Sequence, residues 1–321
     1  MKNALIYNHK AGRGLAPGKI IEKLSAFLGG EELLAADPGL CVPGLPLRLV
    51  ERPVEELAYY PRLRACVEAL VQAGAERFIC VGGDGTAAYV RTAMYELGVS
   101  LPILGVAAGT ANVGPIVSVS LEQLESRRIG ETREVCCDGL SVFSEGKFLA
   151  LAFNDVVVGD TFLATVEGRI RNVSVRALLE QGELTVQKPS RDIVSEDFQV
   201  LLNGSALRPN LRSIQQIVLS SAARENHYGR AIYGVIGRCD WSEKKGVIAL
   251  CDHIVVSFEE SGAGVNRCSS MEYLIFGPED QVILQGFAPD ACLICDGNPY
   301  LLPSPNVQVR YEPALVRTTI L

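Results

Sequence analysis

The sequence is short of basic residues and of histidine, and each shortage argues against a class of protein. It has 30 Lys and Arg residues against 37 Asp and Glu residues, which gives a formal net charge of −7. Because a general nucleic-acid-binding surface needs a strong positive field, we expect no nucleic-acid partner. The three histidines, at positions 9, 227 and 253, are scattered and show no metal-ligand spacing. A local basic pocket for a small anion is still compatible with this composition.

Cysteine is sparse as well, with ten residues in a chain of 321. That is too few for a disulfide scaffold, and most of the cysteines lie inside apolar runs. Buried thiols in a reducing compartment predict a cytoplasmic protein. Cys292 and Cys295 have metal-ligand spacing, but the residues between them are apolar and no second pair accompanies them. We interpret both as structural, and the adjacent Cys136 and Cys137 need only alternate across a strand.

Long apolar runs are absent except for residues 99–119, which carry no charge over a length that could span a bilayer. This segment contains two prolines, three glycines and one asparagine, which would interrupt a spanning helix. We interpret it as a strand, a loop and the start of a helix. Stable insertion into a membrane is therefore not expected.

The first third of the chain alternates short apolar runs with stretches of helical periodicity. The runs at residues 4–7, 47–50, 78–81 and 103–106 are predicted to be strands. The stretches between them repeat apolar residues at helical spacing. Such alternation predicts a parallel sheet covered by helices, with ligands at the carboxyl ends of its strands.

After about residue 130, short strands and turns dominate the pattern, with one helix near residues 173–181. Asn203-Gly204 lies between strand-like runs and is a hairpin signal. We therefore predict an α/β plus all-β fold. In this fold an N-terminal parallel-sheet α/β domain, residues 1–130, precedes a C-terminal antiparallel β-domain, residues 131–321. The extreme C-terminus could return to the first domain.

The strongest functional signal is a glycine-rich turn directly after the third predicted strand. Gly82, Gly83 and Gly85 allow a tight turn and the close approach of a phosphate. Thr86 could cap the following helix, whose first N–H groups attract anions. Asp84 would repel a phosphate unless it binds a metal or accepts a proton, and phosphoryl transfer needs such a group. The alternative is an ordinary strand–helix turn with an aspartate cap.

A second turn of the same kind follows the strand predicted at residues 103–106. It contains Gly109, Thr110 and Asn112, and Asn112 could cap a helix whose first turn tolerates Pro115. Two loops of small residues at the ends of two strands would form one wall of a cleft. Taken alone, an ordinary loop and cap explain this segment equally well.

The loop after the first predicted strand is basic and rich in glycine. It contains Asn8, Lys10, Gly12 and Arg13. Lys10 and Arg13 supply the positive charge that an acidic protein must concentrate where it binds phosphate. Taken alone, this segment would be interpreted as a flexible basic loop.

In their order, the three loops resemble the superfamily of NAD kinases and diacylglycerol-type lipid kinases. The matching motifs are Asn-x-Lys-x-Gly-x-Gly, Gly-Gly-Asp-Gly-Thr and Gly-Thr-Ala-Asn, which begin at residues 8, 82 and 109. Farther along, Asn154 and Asp155 resemble the motif with which NAD kinases hold the dinucleotide acceptor. Asp296-Gly297 looks like the superfamily's C-terminal turn. The sequence is most similar to divergent NAD-kinase-like proteins of the ATP-NAD kinase family.

The resemblance implies an ATP-dependent, Mg²⁺-assisted kinase in which the first domain binds the nucleotide and the second the acceptor. Asp84 would be the catalytic carboxylate and would also contact the metal. Asn154 and Asp155 would face a small-molecule acceptor, NAD⁺ phosphorylated at its 2′-hydroxyl to NADP⁺ or another nucleotide. A homo-oligomer is also implied. The residues expected to bind ATP and its phosphates are Asn8, Lys10, Gly12, Gly82, Gly83, Gly85, Thr86, Gly109, Thr110 and Asn112.

Two departures from the family pattern leave the acceptor open. NAD kinases usually carry a Gly-Ser-Thr-Ala-Tyr stretch that touches the acceptor, and the corresponding region, residues 225–234, lacks it. One alternative is therefore a non-catalytic nucleotide-binding or regulatory protein of the same fold. The other is a lipid kinase of the diacylglycerol type. Against that option, Asn298 stands where lipid kinases usually have the glutamate that takes the hydroxyl proton.

Overall fold

The computed structural model divides the chain into two compact units. The first comprises Met1–Cys137 and Ala314–Leu321, and the second comprises Asp138–Pro313. The first contains parallel strands and helices, whereas antiparallel strands dominate the second. The structure describes residues 1–9, 11, 16–51, 58–108, 114–167, 169–221, 245–255, 270–302 and 304–321.

The first unit is built on a parallel sheet with the strand order β3-β2-β1-β4-β5. Neighbouring strands are in register, so that Ile6 lies beside Cys80 and Ile79 beside Leu104. The carboxyl ends of these strands therefore meet at one edge of the sheet. The strands of this part are β1 (Lys2–Tyr7), β2 (Glu32–Ala35), β3 (Arg48–Leu49), β4 (Arg77–Gly82), β5 (Ile103–Ala107) and β6 (Val119–Ser120).

Helices follow these strands as the apolar spacing predicted. In the first helix, Ile20, Leu24 and Phe27 are fully buried, and the left-handed Gly29 ends it. No described helix has the length and apolar composition required to cross a bilayer. The α-helices of the first unit are α1 (Pro17–Leu28), α2 (Tyr59–Gln72), α3 (Asp84–Glu96) and α4 (Leu121–Leu124), and its 3₁₀ turns are Pro38–Leu40 and Ile129–Glu131.

In the first unit the sequence analysis missed one strand, predicted another strand to be too long, and placed the start of one helix too early. The second strand of the sheet is Glu32–Ala35, which the sequence analysis missed because the strand is short and contains only three apolar residues after Glu32. The strand predicted at 47–50 shrinks to the exposed pair Arg48–Leu49 at the sheet edge. The helix expected after the loop at 109–113 begins only at Leu121, because β6 comes first.

The second unit contains a six-stranded antiparallel sheet with the order β16-β15-β14-β9-β18-β19. A second antiparallel group pairs β13, β12, β17 and the first part of β20. Buried residues from both sheets, including Phe198, Ile217 and Val309, form one hydrophobic cluster. This architecture confirms the predicted fold class.

The bounds of the remaining elements follow the chain order. The strands are β7 (Arg133–Ser144), β8 (Lys147–Ala152), β9 (Val156–Gly159), β10 (Thr161–Val166), β11 (Arg169–Ser174), β12 (Val194–Leu202), β13 (Ser205–Leu207), β14 (Gln216–Ser220), β15 (Gly246–Cys251), β16 (Met271–Phe276), β17 (Val282–Phe287), β18 (Cys292–Cys295), β19 (Asn298–Leu301) and β20 (Asn306–Ile320). The helix α5 (Val175–Gln181) confirms the one predicted near residues 173–181.

The end of β20 belongs to the first unit, where it extends the parallel sheet. Thr318 pairs with Ile103 of β5, and its hydroxyl donates a 3.1 Å hydrogen bond to the Ile103 carbonyl. Arg91 of α3 donates from Nε to the carbonyl of Leu315 at 2.9 Å. The last residues of the chain are therefore hydrogen-bonded both to β5 and to α3, the helix that begins at the glycine-rich turn.

Gly105 of β5 is required by a close backbone contact. A Cβ built on it would lie 2.2 Å from the carbonyl oxygen of Ile116 and 2.6 Å from the Cα of Val117. Since a backbone cannot rotate away as a side chain can, we expect Gly105→Ala to lower the free energy of unfolding by about 3 kcal/mol. Gly18→Ala in α1 is the control, because no described atom lies within 4 Å of its added Cβ. Urea unfolding measures both, and an unchanged midpoint for Gly105→Ala would contradict this packing.

The described cysteines differ in exposure as their strands dictate. Cys136 is exposed and Cys137 is buried, as alternation across β7 predicts. Cys292 and Cys295 belong to different hydrophobic clusters on opposite faces of β18, so they cannot ligate one metal together. Their structural interpretation is therefore supported.

Thiol alkylation should separate these cysteines. Burial raises the pKa of Cys292 to about 11, and it raises the pKa of Cys251 to about 12. Because the thiolate is the reactive form, we expect iodoacetamide at pH 8 to modify Cys136 at least about 100 times faster than either. Peptide mapping by mass spectrometry gives the rate at each position, and denatured protein is the control. Rapid labelling of Cys251 in the folded protein would contradict its burial.

Candidate active site

The glycine-rich turn joins β4 to α3 with a single residue between them. β4 ends at Gly82, Gly83 is the N-cap with φ −106°, and Asp84 is the first residue of the helix. A Cβ on Gly82 would lie 3.0 Å from the Thr86 hydroxyl oxygen, so the turn and the Thr86 side chain are in close contact. The prediction that Thr86 caps the helix was wrong, because the helix begins two residues before it.

Thr86 instead connects the turn to the loop after β1. Its side chain is buried, and its hydroxyl oxygen accepts a 3.0 Å hydrogen bond from Nδ2 of Asn8. The backbone N–H of Asn8 donates to the carbonyl of Val81 at 3.0 Å. Asn8 is thus placed beside the glycine-rich turn, whereas Lys10 and Gly12 lie outside the described residues.

Asp84 connects the turn to the loop on its other side. Its Oδ2 atom accepts a 3.0 Å hydrogen bond from the backbone N–H of Gly114, and the side chain is half-buried. At the first position of α3, the carboxylate is stabilised by the positive end of the helix dipole. Ala108 also donates its backbone N–H to the carbonyl of Gly82 at 2.9 Å. The predicted residues Gly109, Thr110 and Asn112 lie in the part of this loop outside the described residues.

Tyr59 is a residue at this edge that sequence reasoning missed. It begins α2, its ring centroid lies 6.0 Å from that of Tyr89 in α3, and the side chain is 39% exposed. Burial of part of the phenol raises the pKa of Tyr59, and a hydrogen bond with Thr86 opposes that rise. The signal in the sequence was the aromatic pair Tyr59-Tyr60 at a helix start.

The donor set at Asp84 fits a magnesium ion that arrives with a nucleotide. Mg²⁺ is usually held by one or two carboxylates together with substrate phosphates and water. Asp84 offers one carboxylate next to the anion-attracting start of α3. Among the residues that the structure describes, no group of three or more His, Cys, Asp or Glu side chains could hold a metal ion.

In the second unit, Asn154 and Asp155 lie in the short loop between β8 and β9. Asn154 is buried and Asp155 is half-buried. The Asp296 carboxylate accepts hydrogen bonds from three consecutive backbone N–H groups of this loop. The hydroxyl of Ser220 donates to the carbonyl of Asn154 at 2.6 Å. The predicted acceptor loop therefore has a fixed backbone.

Asp296 stands in the tight turn between β18 and β19. Asp296 and Gly297 have φ values of 49° and 79°, and Cys295 pairs with Asn298 across the turn. Two left-handed residues between paired strands are typical of a type I′ hairpin turn. The structure thus brings the Asp-Gly turn and the Asn154 loop together, a contact the sequence did not predict. The region at 225–234 lies outside the described residues.

The family model of the diacylglycerol kinase catalytic domain matches residues 2–125. An uncharacterized protein of Archaeoglobus fulgidus is 26% identical over 240 residues, 74% of this chain and 71% of that protein. The segment that matches the family model, residues 2–125, includes the loops after β1, β4 and β5. It ends before Asn154, Asp155 and Asp296.

Solved structures share the fold of almost the entire chain. Yeast NADH kinase in complex with NADH has a TM-score of 0.54 at 11% identity, covering 99% of this chain and 82% of that one. A candidate diacylglycerol kinase from Bacillus anthracis str. Sterne has a TM-score of 0.56 at 14% identity, covering 99% and 96%. Residues 2–125 thus match the diacylglycerol kinase catalytic domain, and the chain as a whole shares its fold with an NADH kinase and a candidate diacylglycerol kinase, which supports the resemblance to the NAD kinase and diacylglycerol kinase superfamily.

Proposed function

We propose that the protein is an ATP-dependent kinase that phosphorylates a hydroxyl group of a small molecule. The observation that carries the proposal is the position of Asp84. It is the first residue of α3, at the carboxyl end of β4, and its carboxylate accepts a hydrogen bond from Gly114 in the neighbouring loop. Ligands of parallel α/β sheets bind at this edge, where helix N-termini attract phosphate.

In the proposed reaction, Asp84 orients the attacking hydroxyl group and takes its proton while the oxygen–phosphorus bond forms. The bond from the γ-phosphorus to ADP breaks, and ADP leaves. The positive end of the α3 helix dipole, together with Lys10, would attract and hold the phosphates. Asn8 would keep Thr86, and with it the turn, in place. A bound Mg²⁺ would contact Asp84 and offset the charge of the ATP phosphates.

For the acceptor we propose NAD⁺, phosphorylated at the 2′-hydroxyl. Support comes from the Asn154-Asp155 motif and from the fold shared with an NADH kinase. The amide of Asn154 and the carboxylate of Asp155 are hydrogen-bonding groups of the kind that hold a ribose. The proposal also includes a cytoplasmic location, which rests on the sparse cysteines in apolar runs, and a homo-oligomer, which rests on the superfamily resemblance.

A diacylglycerol-type lipid is the second candidate acceptor. The observation in its favour is the match of residues 2–125 to the diacylglycerol kinase catalytic domain. A protein that binds nucleotide without turnover is the third candidate, because residues 225–234 lack the usual acceptor-contacting stretch. The three candidates differ in the product formed, so a single panel of assays distinguishes them.

The first prediction of this proposal concerns Asp84→Asn. The asparagine oxygen can still accept the hydrogen bond from Gly114, so we expect the turn and ATP binding to be preserved. Removal of the proton acceptor should lower kcat by at least about 100-fold. Steady-state kinetics with MgATP measures kcat, and isothermal titration calorimetry measures the Kd for ATP.

Glu122→Gln is the matched control for that variant. Glu122 is also an acidic residue in the first turn of a helix of the same unit, where hydrogen bonds to a backbone N–H and to Ser120 lower its pKa. Its substitution should leave kcat unchanged. Full activity of Asp84→Asn would rule out the proposed role of this carboxylate.

The second prediction concerns the acceptor. With MgATP, we expect NAD⁺ to be converted to NADP⁺, detected by an NADP⁺-specific dehydrogenase. Diacylglycerol in mixed micelles should gain radioactive phosphate only at the background rate. Labelled lipid without NADP⁺ would instead favour the lipid kinase. ATP binding with neither product would favour the non-catalytic protein.

A further inference from the structure

The Asp296 carboxylate gathers the backbone N–H groups of three consecutive residues. Oδ2 accepts from Phe153 at 2.8 Å, and Oδ1 accepts from Asn154 at 2.8 Å and from Asp155 at 3.1 Å. The side chain is 7% exposed. Hydrogen bonds to an ionised acceptor are shorter and about twice as strong as neutral ones, and burial strengthens them further. The Asp296 carboxylate therefore holds three successive backbone amides in place.

The carbonyl groups of the same loop are also held. The backbone N–H of Asp296 donates to the carbonyl of Asp155 at 3.0 Å, and Ser220 donates its hydroxyl to the carbonyl of Asn154 at 2.6 Å. The turn that carries Asp296 is itself fixed, because Cys295 pairs with Val156 directly after the loop. Rotation of the loop backbone would break several of these bonds at once.

The hairpin turn alone does not require a carboxylate at position 296. A type I′ turn accepts asparagine or glycine at this position at least as well as aspartate. An asparagine, however, has one acceptor oxygen and an NH₂ group that would face backbone N–H donors. Only a carboxylate can accept all three hydrogen bonds. The identity of residue 296 is thus explained by the loop it holds.

We propose that Asp296, assisted by Ser220, is a positioning residue that sets the Asn154 and Asp155 side chains for the acceptor. The inference rests on the proposed function in that these two side chains are taken to contact the acceptor. Asp296 itself contacts the loop backbone. Its loss should therefore weaken the use of the acceptor and leave ATP binding intact.

The test compares Asp296→Asn with Asp160→Asn in the full-length protein. Asp160 is a matched control in the same unit, because its carboxylate is 4% exposed and also accepts three hydrogen bonds. These come from the side chain of Gln187 and from the backbone and hydroxyl of Ser190. Both variants lose a buried carboxylate, but only Asp296→Asn should disturb the loop at 153–155.

For Asp296→Asn we expect kcat/KM for NAD⁺ to fall about 10- to 100-fold, with the Kd for ATP unchanged. Asp160→Asn should lower the Tm by about as much as Asp296→Asn does. It should leave kcat/KM for NAD⁺ within about twofold of the wild-type value. Equal kinetic losses in the two variants would indicate general destabilisation and overturn the inference. An unchanged kcat/KM for Asp296→Asn would overturn it as well.

Hydrogen–deuterium exchange gives a readout that does not depend on turnover. We expect the amides of residues 153–155 to exchange at least about tenfold faster in Asp296→Asn and at the wild-type rate in Asp160→Asn. Unchanged exchange at 153–155 would overturn the inference whatever the acceptor is. If exchange at 153–155 is faster in Asp296→Asn but the wild-type protein forms no NADP⁺, the positioning role is retained and the proposed function is rejected.

If Asp296→Asn does not fold, Ser220→Ala replaces it. This variant removes only the hydroxyl that holds the Asn154 carbonyl and changes no charge. We expect a smaller fall in kcat/KM for NAD⁺, about fivefold, with the Kd for ATP unchanged. Unchanged kinetics and unchanged exchange at 153–155 would overturn the proposed positioning of the loop.

Discussion

The positions of Asp84 and Thr86 depend on how closely α3 follows β4. Only Gly83 separates the strand from the helix, and Thr86 folds back to within 3.0 Å of where a Cβ on Gly82 would lie. Because a single residue connects them, the end of β4 determines where α3 begins. Asp84 then contacts the loop on one side of the turn, and Thr86 contacts Asn8 on the other. The short connection between β4 and α3 thus positions the side chains of both Asp84 and Thr86.

The two units use aspartate differently at comparable turns. Asp296 is almost fully buried and gives its oxygens to three backbone amides, which makes it a rigid part of the fold. Asp84 is half-buried at a helix start, where its Oδ2 atom accepts a hydrogen bond from the backbone N–H of Gly114 and the helix dipole favours negative charge. A carboxylate that must exchange a proton needs access to its substrate. In the proposed reaction the half-buried Asp84 would meet that requirement, whereas the almost fully buried Asp296 would not.

Sequence periodicity predicted the elements whose apolar residues are numerous and local. α1 and β4 were found in this way, whereas β2 was missed because Glu32–Ala35 offers only three apolar residues after polar ones. In the candidate site too, local features could be predicted from the sequence and long-range contacts could not. The glycine-rich turn could be predicted because its residues are contiguous. The contact of Asp296 with the loop at 153–155 spans more than 140 residues and is created by the pairing of β18 with β9, which no local pattern encodes.

The extent of the family match bears on the choice of acceptor. Residues 2–125 include Asp84 and the glycine-rich turn but end before the loop at 154–155 and the turn at 296–298. In the proposed function, the matched segment would transfer the phosphate, a step that NAD kinases and lipid kinases share. The second unit would then determine the choice of acceptor. There, Asn298 replaces the glutamate usual in lipid kinases, and a rigid loop carries two adjacent polar side chains. These features favour a polar acceptor with a hydroxyl group, such as the ribose of a nucleotide.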